Sequence, residues 1–186
     1  VYNFFRQGKA ERSYFYALKL LSLGINTPTP IAFFEFKNLF FLSKSYYVSE
    51  QLEYDFSIRD VIKDLRFPDR DKILKLFVKF TFKLHENNIN YLDHSPGNTL
   101  IVKKKLNYDF YLIDLNRMKF ENMSLNKRMQ NFERLSQDTS ILSIFSKEYS
   151  ELYSKDYKLI NNLMREKVDN FFSTKRRKNK LKSLFD

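Results

Sequence analysis

Two polar motifs bracket what reads as a β-hairpin, and together they restrict the chain more than any other feature. Asp93-His94-Ser95-Pro96-Gly97-Asn98 runs into an apolar stretch, Thr99 to Val102, then a basic turn, Lys103 to Asn107. A second apolar stretch, Tyr108 to Ile113, ends on Asp114-Leu115-Asn116-Arg117. Short apolar runs separated by a polar turn predict strand, turn and strand. Antiparallel pairing brings the outer ends of two such strands together, so Asn98 and Asp114 are expected to converge on one cation, with Asp93 opening onto the same cleft. Phosphoryl transfer uses this set: one carboxylate to orient the attacking hydroxyl, and an amide and a second carboxylate to hold Mg²⁺ on the phosphates.

The order D-x-x-x-x-N, hairpin, Asp is that of kinase catalytic and metal-binding loops. Pro96-Gly97 before Asn98 is typical of sugar and small-molecule kinases, and Asp114-Leu115-Asn116-Arg117 is similar to a D-F-D-R pattern. Upstream, Lys9-Ala10-Glu11-Arg12-Ser13 leads to Leu23-Gly24-Ile25-Asn26-Thr27-Pro28-Thr29-Pro30, similar to a helix followed by G-I-P-x-P. On these motifs the chain resembles the lipopolysaccharide kinase (Kdo/WaaP) family over most of residues 5 to 120. The resemblance implies an α+β, protein-kinase-like fold: an incomplete N-terminal lobe of antiparallel strands plus one helix, then a mainly helical C-terminal lobe. It also implies ATP and Mg²⁺ as cofactors, Asp93 as the catalytic carboxylate and Asn98 and Asp114 as metal ligands. The acceptor would be a sugar hydroxyl of the lipopolysaccharide inner core (Kdo or heptose) or a lipid A precursor, met at the cytoplasmic face of a Gram-negative inner membrane. The alternatives are a kinase for another small molecule, or a non-catalytic kinase-like module that binds anionic lipid or nucleic acid.

Kinase-like folds close a Gly-rich loop over the phosphates and bring a strand Lys to them. The glycines here are Gly8, Gly24 and Gly97, and none forms such a loop, while Lys9 begins a predicted helix rather than lying on a strand. The chain starts at Val1, directly before that helix, so a fragment lacking the first strands of the small lobe is expected, with a naturally short or degenerate chain as the alternative. Glu11 either pairs with such a Lys or is a solvated surface acid; the position usual in the family holds Phe15, one turn later on the same face. By the same resemblance Glu50-Gln51-Leu52 falls at the hinge, where the backbone of Glu50 and Leu52 would meet adenine. His94, Ser95 and Arg117 are candidate phosphate or acceptor contacts. His94 follows Asp93 directly, Ser95 stands where kinases commonly carry a basic residue, and Arg117 or Mg²⁺ can cover the missing positive charge.

The remaining sequence predicts one domain of 186 residues: 1–52 as the remainder of the small lobe and hinge, 53–174 as the large lobe and 175–186 as a basic tail. Tyr14, Ala17, Leu18, Leu20 and Leu21 sit at helical spacing, closed by Gly24. Ile31 to Phe36, Leu39 to Leu42 and Tyr46 to Ser49 read as short strands with turns at Lys37-Asn38 and Lys44-Ser45. Ser57 caps a short helix, and Asp69 or Asp71 starts a long one whose stripe of Ile73, Phe77, Phe80 and Leu84 belongs in a core. His85, on that helix, reads as a hydrogen-bonded structural histidine. Cysteine is absent, which excludes disulfides and thiolate chemistry. The net charge of +11 predicts an anionic partner. Six of the cations fall between Lys175 and Lys182, beside Leu184-Phe185. An anionic membrane surface is the expected partner of this tail, nucleic acid the less favoured one, and a solvated tail without a partner the remaining possibility.

Overall fold

Residues 8–38 and 41–183 are described by the structure, a computed structural model. Helix α1 (Lys9–Ser22) stops where Gly24 adopts φ 64, a conformation that glycine enters without a Cβ penalty. Its last carbonyls are satisfied by a Schellman closure, Gly24 N–H to Leu21 O at 3.0 Å and Ile25 N–H to Leu20 O at 2.9 Å. The buried face is Ala10, Ser13, Ala17 and Leu20. Leu18 and Leu21, expected in that stripe, are 43% and 37% exposed. Small residues line the contact instead, which lets the helix approach its neighbours closely.

Strands β1 (Pro30–Asn38) and β2 (Phe41–Ser49) pair antiparallel, and Phe33 turns toward α1, its ring 5.3 Å from that of Tyr14. The turn expected at Lys44-Ser45 does not form. Phe36 pairs with Lys44 and Lys37 with Leu42, so an irregularity of the bulge type carries one strand through the polar positions that suggested two. Lys37 and Asn38, expected in a turn, belong to β1. The part of the expected middle strand at Leu39-Phe40 lies outside the described residues.

The chain then becomes mainly helical. After β3 (Phe56–Ser57) come α2 (Ile58–Lys63), α3 (Arg70–Glu86), β4 (Ile89–Tyr91), β5 (Thr99–Lys103), β6 (Tyr108–Leu112) and β7 (Met118–Phe120). Helices α4 (Leu125–Gln130), α5 (Thr139–Tyr153) and α6 (Tyr157–Lys182) complete it. The order β3-β5-β6 forms one antiparallel sheet and β4-β7 another. Serine and aspartate start the helices as expected of residues that satisfy free N–H groups. Asp60 accepts from both the N–H and the hydroxyl of Ser57, Asp138 from Ser140 N–H at 2.7 Å, and Asp156 from Leu159 N–H at 2.9 Å.

Two apolar clusters hold these elements. The larger gathers Phe77 and Phe110 with Phe132, Phe145, Tyr149, Ile160, Met164 and Val168, joining α3 to α5 and α6. Truncating a fully buried ring such as Phe77 to Ala costs about 3–5 kcal/mol at sites of this kind. The smaller joins Ala17, Leu20 and Ile25 to Leu84, Ile89, Tyr91, Leu112, Leu115 and Met118, so α1 shares a core with the strands that flank both polar motifs. His85 is structural: Nε2 donates to Asn131 Oδ1 at 3.4 Å, and Nδ1 accepts from Tyr149 Oη at 2.8 Å. The basic residues 175–182 are the exposed last turns of α6, in one helix with the buried Ile160, Met164 and Val168; Leu184-Phe185 lie outside the described residues. Among the described residues no helix is long and apolar enough to cross a membrane.

Candidate active site

The loops carrying the two motifs run side by side because each is fixed at both ends by the same two ladders. Residues 92–98 leave β4 and enter β5; residues 113–117 leave β6 and enter β7; β4 pairs with β7 and β5 with β6. Thr99 stands opposite Leu112 and Tyr91 opposite Met118. Direct bonds then join the loops, Leu92 N–H to Arg117 O at 3.0 Å and Ile113 N–H to Asn98 O at 3.1 Å. The buried Tyr91 hydroxyl donates to the Ile113 carbonyl and lies 3.4 Å from that of Asp114. The upstream motif reaches the same place: Leu112 N–H donates to Asn26 O at 3.0 Å and Thr27 Oγ1 donates to Leu112 O at 2.7 Å.

Inside the first loop, Ser95 N–H donates to Asp93 O at 2.7 Å and Asn98 Nδ2 donates to the same carbonyl at 2.8 Å. The amide nitrogen of Asn98 is thereby committed to its own loop. Its Oδ1 is the atom suited to a cation, since an amide coordinates through oxygen. Asp114 sits at φ 55, exposed, with Asn116 Nδ2 donating to its Oδ1. Burial raises the Tyr91 phenol, the charges of Asp114 and Asp93 raise it further, and a hydrogen bond from Asn98 opposes them. Asn98 Nδ2 bonds the Asp93 carbonyl and the Asn98 carbonyl takes the Ile113 N–H, so Asp93, Asn98 and Asp114 lie on two adjoining loops. Hard oxygen donors from an amide and a carboxylate suit Mg²⁺, which is held by few protein ligands alongside substrate phosphates. Among the described residues no group of three or more His, Cys, Asp or Glu forms a metal cage.

The Asp93 carboxylate is shared by two arginines. Arg134 Nη1 lies 2.8 Å from Oδ1, and Arg117 Nη1 lies 3.2 Å from Oδ2. Arg117, expected to contact phosphate or acceptor, thus pairs with the carboxylate itself. Arg134 comes from the segment between α4 and α5; no motif marked it, and it is 41 positions from Asp93 in the chain. A third guanidinium, that of Arg59 on α2, lies over Gly97, where a Cβ would displace it.

His94 corrects an expectation. Expected at the cleft, it is 1% exposed, its ring 5.2 Å from Phe77 and 5.6 Å from Tyr91. Burial lowers its pKa to about 4, so it is neutral at pH 7. Ser95 is half-buried at the residue before the turn Pro96–Asn98, where its carbonyl, not its side chain, accepts the Asn98 N–H at 3.0 Å. Glu11 stands half-buried in the first turn of α1. Glu50 and Leu52 lie on the segment that links the β1-β2 sheet to β3; the Glu50 N–H is taken by Thr29 O at 2.8 Å, and Leu52 is half-buried. Tyr91 carried no functional signal in the sequence either, because an aromatic in an apolar run reads as packing.

No curated protein sequence matches the chain. A structure described as WaaP in complex with acyl carrier protein superimposes with TM-score 0.61 at 18% identity, over 91% of this chain and 76% of that one. The Rio2 kinase-ADP/Mg²⁺-phosphoaspartate complex from Chaetomium thermophilum is matched with TM-score 0.46 at 14% identity, over 89% of this chain and 54% of that one. The WaaP likeness identifies the fold as protein-kinase-like, with a few antiparallel strands before a mostly helical part. A family model covers residues 8–157, and the chain therefore belongs to the lipopolysaccharide kinase (Kdo/WaaP) family.

Proposed function

We propose that the chain transfers the γ-phosphoryl group of ATP to a sugar hydroxyl of the lipopolysaccharide inner core, Kdo or heptose, with Mg²⁺. The observation that supports this most is that Asp93 and Asn98 share a loop hydrogen-bonded to the one that carries Asp114, with Asn98 Nδ2 on the Asp93 carbonyl and the Ile113 N–H on that of Asn98. In this reading Asn98 Oδ1 and the Asp114 carboxylate hold the metal, and Asp93 orients the acceptor hydroxyl and takes its proton. Bound Mg·ATP supplies the phosphoryl group and neutralises charge as it transfers. Arg117, about half exposed at 51% and with the longer of the two contacts to Asp93, is the partner that an entering hydroxyl can displace. Glu11, Glu50 and Leu52 are assigned to nucleotide binding.

Residues 1–52 would act as the small lobe and 53–174 as the lobe that carries the chemistry. The basic end of α6 would hold the protein peripherally at the cytoplasmic side of a Gram-negative inner membrane, where lipid A carries the core sugars. The WaaP structure contains acyl carrier protein, which makes a carrier of that kind a candidate partner here as well.

The test is incubation of the protein with γ-labelled ATP, MgCl₂ and Kdo-terminated lipid A. Magnesium-dependent label in the lipid supports the reading. Label in small alcohols or aminosugars but not in the lipid would favour a small-molecule kinase, and ATP binding without transfer to any acceptor would favour a non-catalytic module.

A further inference from the structure

We infer that Arg134 is a positioning residue for phosphoryl transfer: it fixes one oxygen of Asp93, takes its own place from the ring of Phe171 on α6, and leaves the other oxygen to the acceptor hydroxyl. The inference rests on the function proposed above.

The two arginines on Asp93 are not equivalent. The Arg134 contact is 2.8 Å with the side chain 26% exposed, and the Arg117 contact is 3.2 Å with the side chain 51% exposed. Short charge-assisted bonds at half-buried sites hold geometry, whereas a longer contact at an exposed one exchanges readily with solvent or substrate.

The segment that carries Arg134 is itself pinned. Phe132 and Leu135 on either side are buried. Asn131 accepts the Tyr91 N–H at 3.2 Å and donates to Asn90 Oδ1 at 2.8 Å, so the segment is bonded to the strand that delivers the Asp93 loop. The guanidinium then lies 5.0 Å from the centre of the Phe171 ring. A planar guanidinium can stack on a ring face and bond a carboxylate edge-on at once, which an ammonium cannot do. Asp93 is therefore held through Arg134 to the C-terminal helix, although α6 lies far along the chain. Small displacements of an orienting group lower rates steeply, because the reacting atoms must be aligned before transfer.

The test uses the whole chain with Arg134→Gln, Arg134→Lys, Arg134→Ala and Phe171→Leu, and Asp93→Asn as a reference. In the labelled-ATP assay with Kdo-terminated lipid A, Arg134→Gln is expected to lower kcat at least ~10-fold with KM for ATP within about twofold. Arg134→Lys should fall well short of wild type, since an ammonium cannot lie against the Phe171 ring and bond Asp93 as the planar guanidinium does. Guanidinium ion added to Arg134→Ala should restore part of kcat, a rescue that a merely structural role would not give. Phe171→Leu should lose kcat severalfold at unchanged thermal midpoint. A second readout needs no turnover: in ¹⁵N spectra of the arginine side chains, the Arg134 guanidinium should give slowly exchanging signals that vanish in Asp93→Asn. Wild-type kcat in Arg134→Gln, or Arg134 signals indifferent to Asp93→Asn, would overturn the inference. An inactive wild type whose Arg134 signals do depend on Asp93 would instead overturn the proposed function.

Discussion

Ile113 donates its amide proton to the Asn98 carbonyl at 3.1 Å, so the residue preceding Asp114 is bonded to the other candidate metal ligand across the open end of the β5-β6 hairpin. The hairpin register sets this bond, with Thr99 opposite Leu112. Asn98 and Asp114 are close because of strand pairing and require no ion to bring them together.

Asn98→Ala removes both the Nδ2 bond to the Asp93 carbonyl and the oxygen proposed to meet Mg²⁺. Losing the bond should lower stability by about 1 kcal/mol in urea titrations. Half-saturating Mg²⁺ for ATP turnover should rise at least ~10-fold, since even outer-sphere changes have effects of that size. Unchanged magnesium dependence would remove Asn98 from the metal site.

Tyr91→Phe keeps the ring in the smaller core and deletes the hydroxyl that donates to the Ile113 carbonyl. A loss of about 1 kcal/mol is expected from the unmade bond. Turnover should fall more than nucleotide affinity, because the second loop loses one of its ties to the first. Equal turnover by Tyr91→Phe and wild type would show that this tie does not set the position of Asp114.

Two buried histidines make stability fall as pH is lowered. Their pKa values drop from 6.5 to about 3 for His85 and about 4 for His94, in both chiefly through burial; nearby His94 and Arg128 add to the effect at His85. The unfolded chain takes up protons below pH 6.5 that the folded chain refuses until about pH 4, so the stability present above 6.5 is lost progressively in that window. The slope is up to about 1.4 kcal/mol per pH unit for each histidine. Asp60 and Asp138, lowered by hydrogen bonds from Ser57 and Ser140, contribute only at lower pH. Urea midpoints measured from pH 7 to 5 should decline in wild type and decline less in His94→Leu. A flat wild-type profile would contradict the buried neutral state.

Local spacing carried much of the fold and the loop motifs. Asp93, Asn98 and Asp114 are separated by one turn and one hairpin, and backbone geometry alone brings such residues together. Gly24 and Ser57 are legible for the same reason, since a helix end is satisfied by residues a few positions away. Arg134 was not legible: 41 positions separate it from Asp93, and only the packing of α4, α5 and α6 brings it there. His94 was assigned to the cleft because it neighbours Asp93, yet an irregular loop has no period to show which way a side chain turns. Lys44-Ser45 looked like a turn because both residues are polar, and only their pairing with Phe36 and Glu35 of β1 reveals a continuous strand.

The exposed last turns of α6 carry Lys175, Arg176, Arg177, Lys178, Lys180 and Lys182, on a helix whose buried residues anchor it to the core. Near an anionic leaflet each contributes about 1 kcal/mol, screened within a Debye length. In sedimentation with phosphatidylglycerol-containing vesicles, the intact chain should bind at low salt and release at high salt, and a chain ending at Thr174 should bind much less. Equal binding by both would show that this end of α6 is not the anchor. Tighter, sequence-selective binding to RNA or DNA would favour a nucleic-acid partner.

The most direct measurement compares wild type, Asp93→Asn and Asp114→Asn in single-turnover transfer from γ-labelled ATP to Kdo-terminated lipid A, with Mg·ATP affinity measured on the same samples. Asp93→Asn should lose at least ~10²-fold in rate while binding Mg·ATP nearly as wild type does, the signature of a hydroxyl-orienting base. Asp114→Asn should weaken magnesium-dependent ATP binding itself. Wild-type transfer by Asp93→Asn would contradict the account.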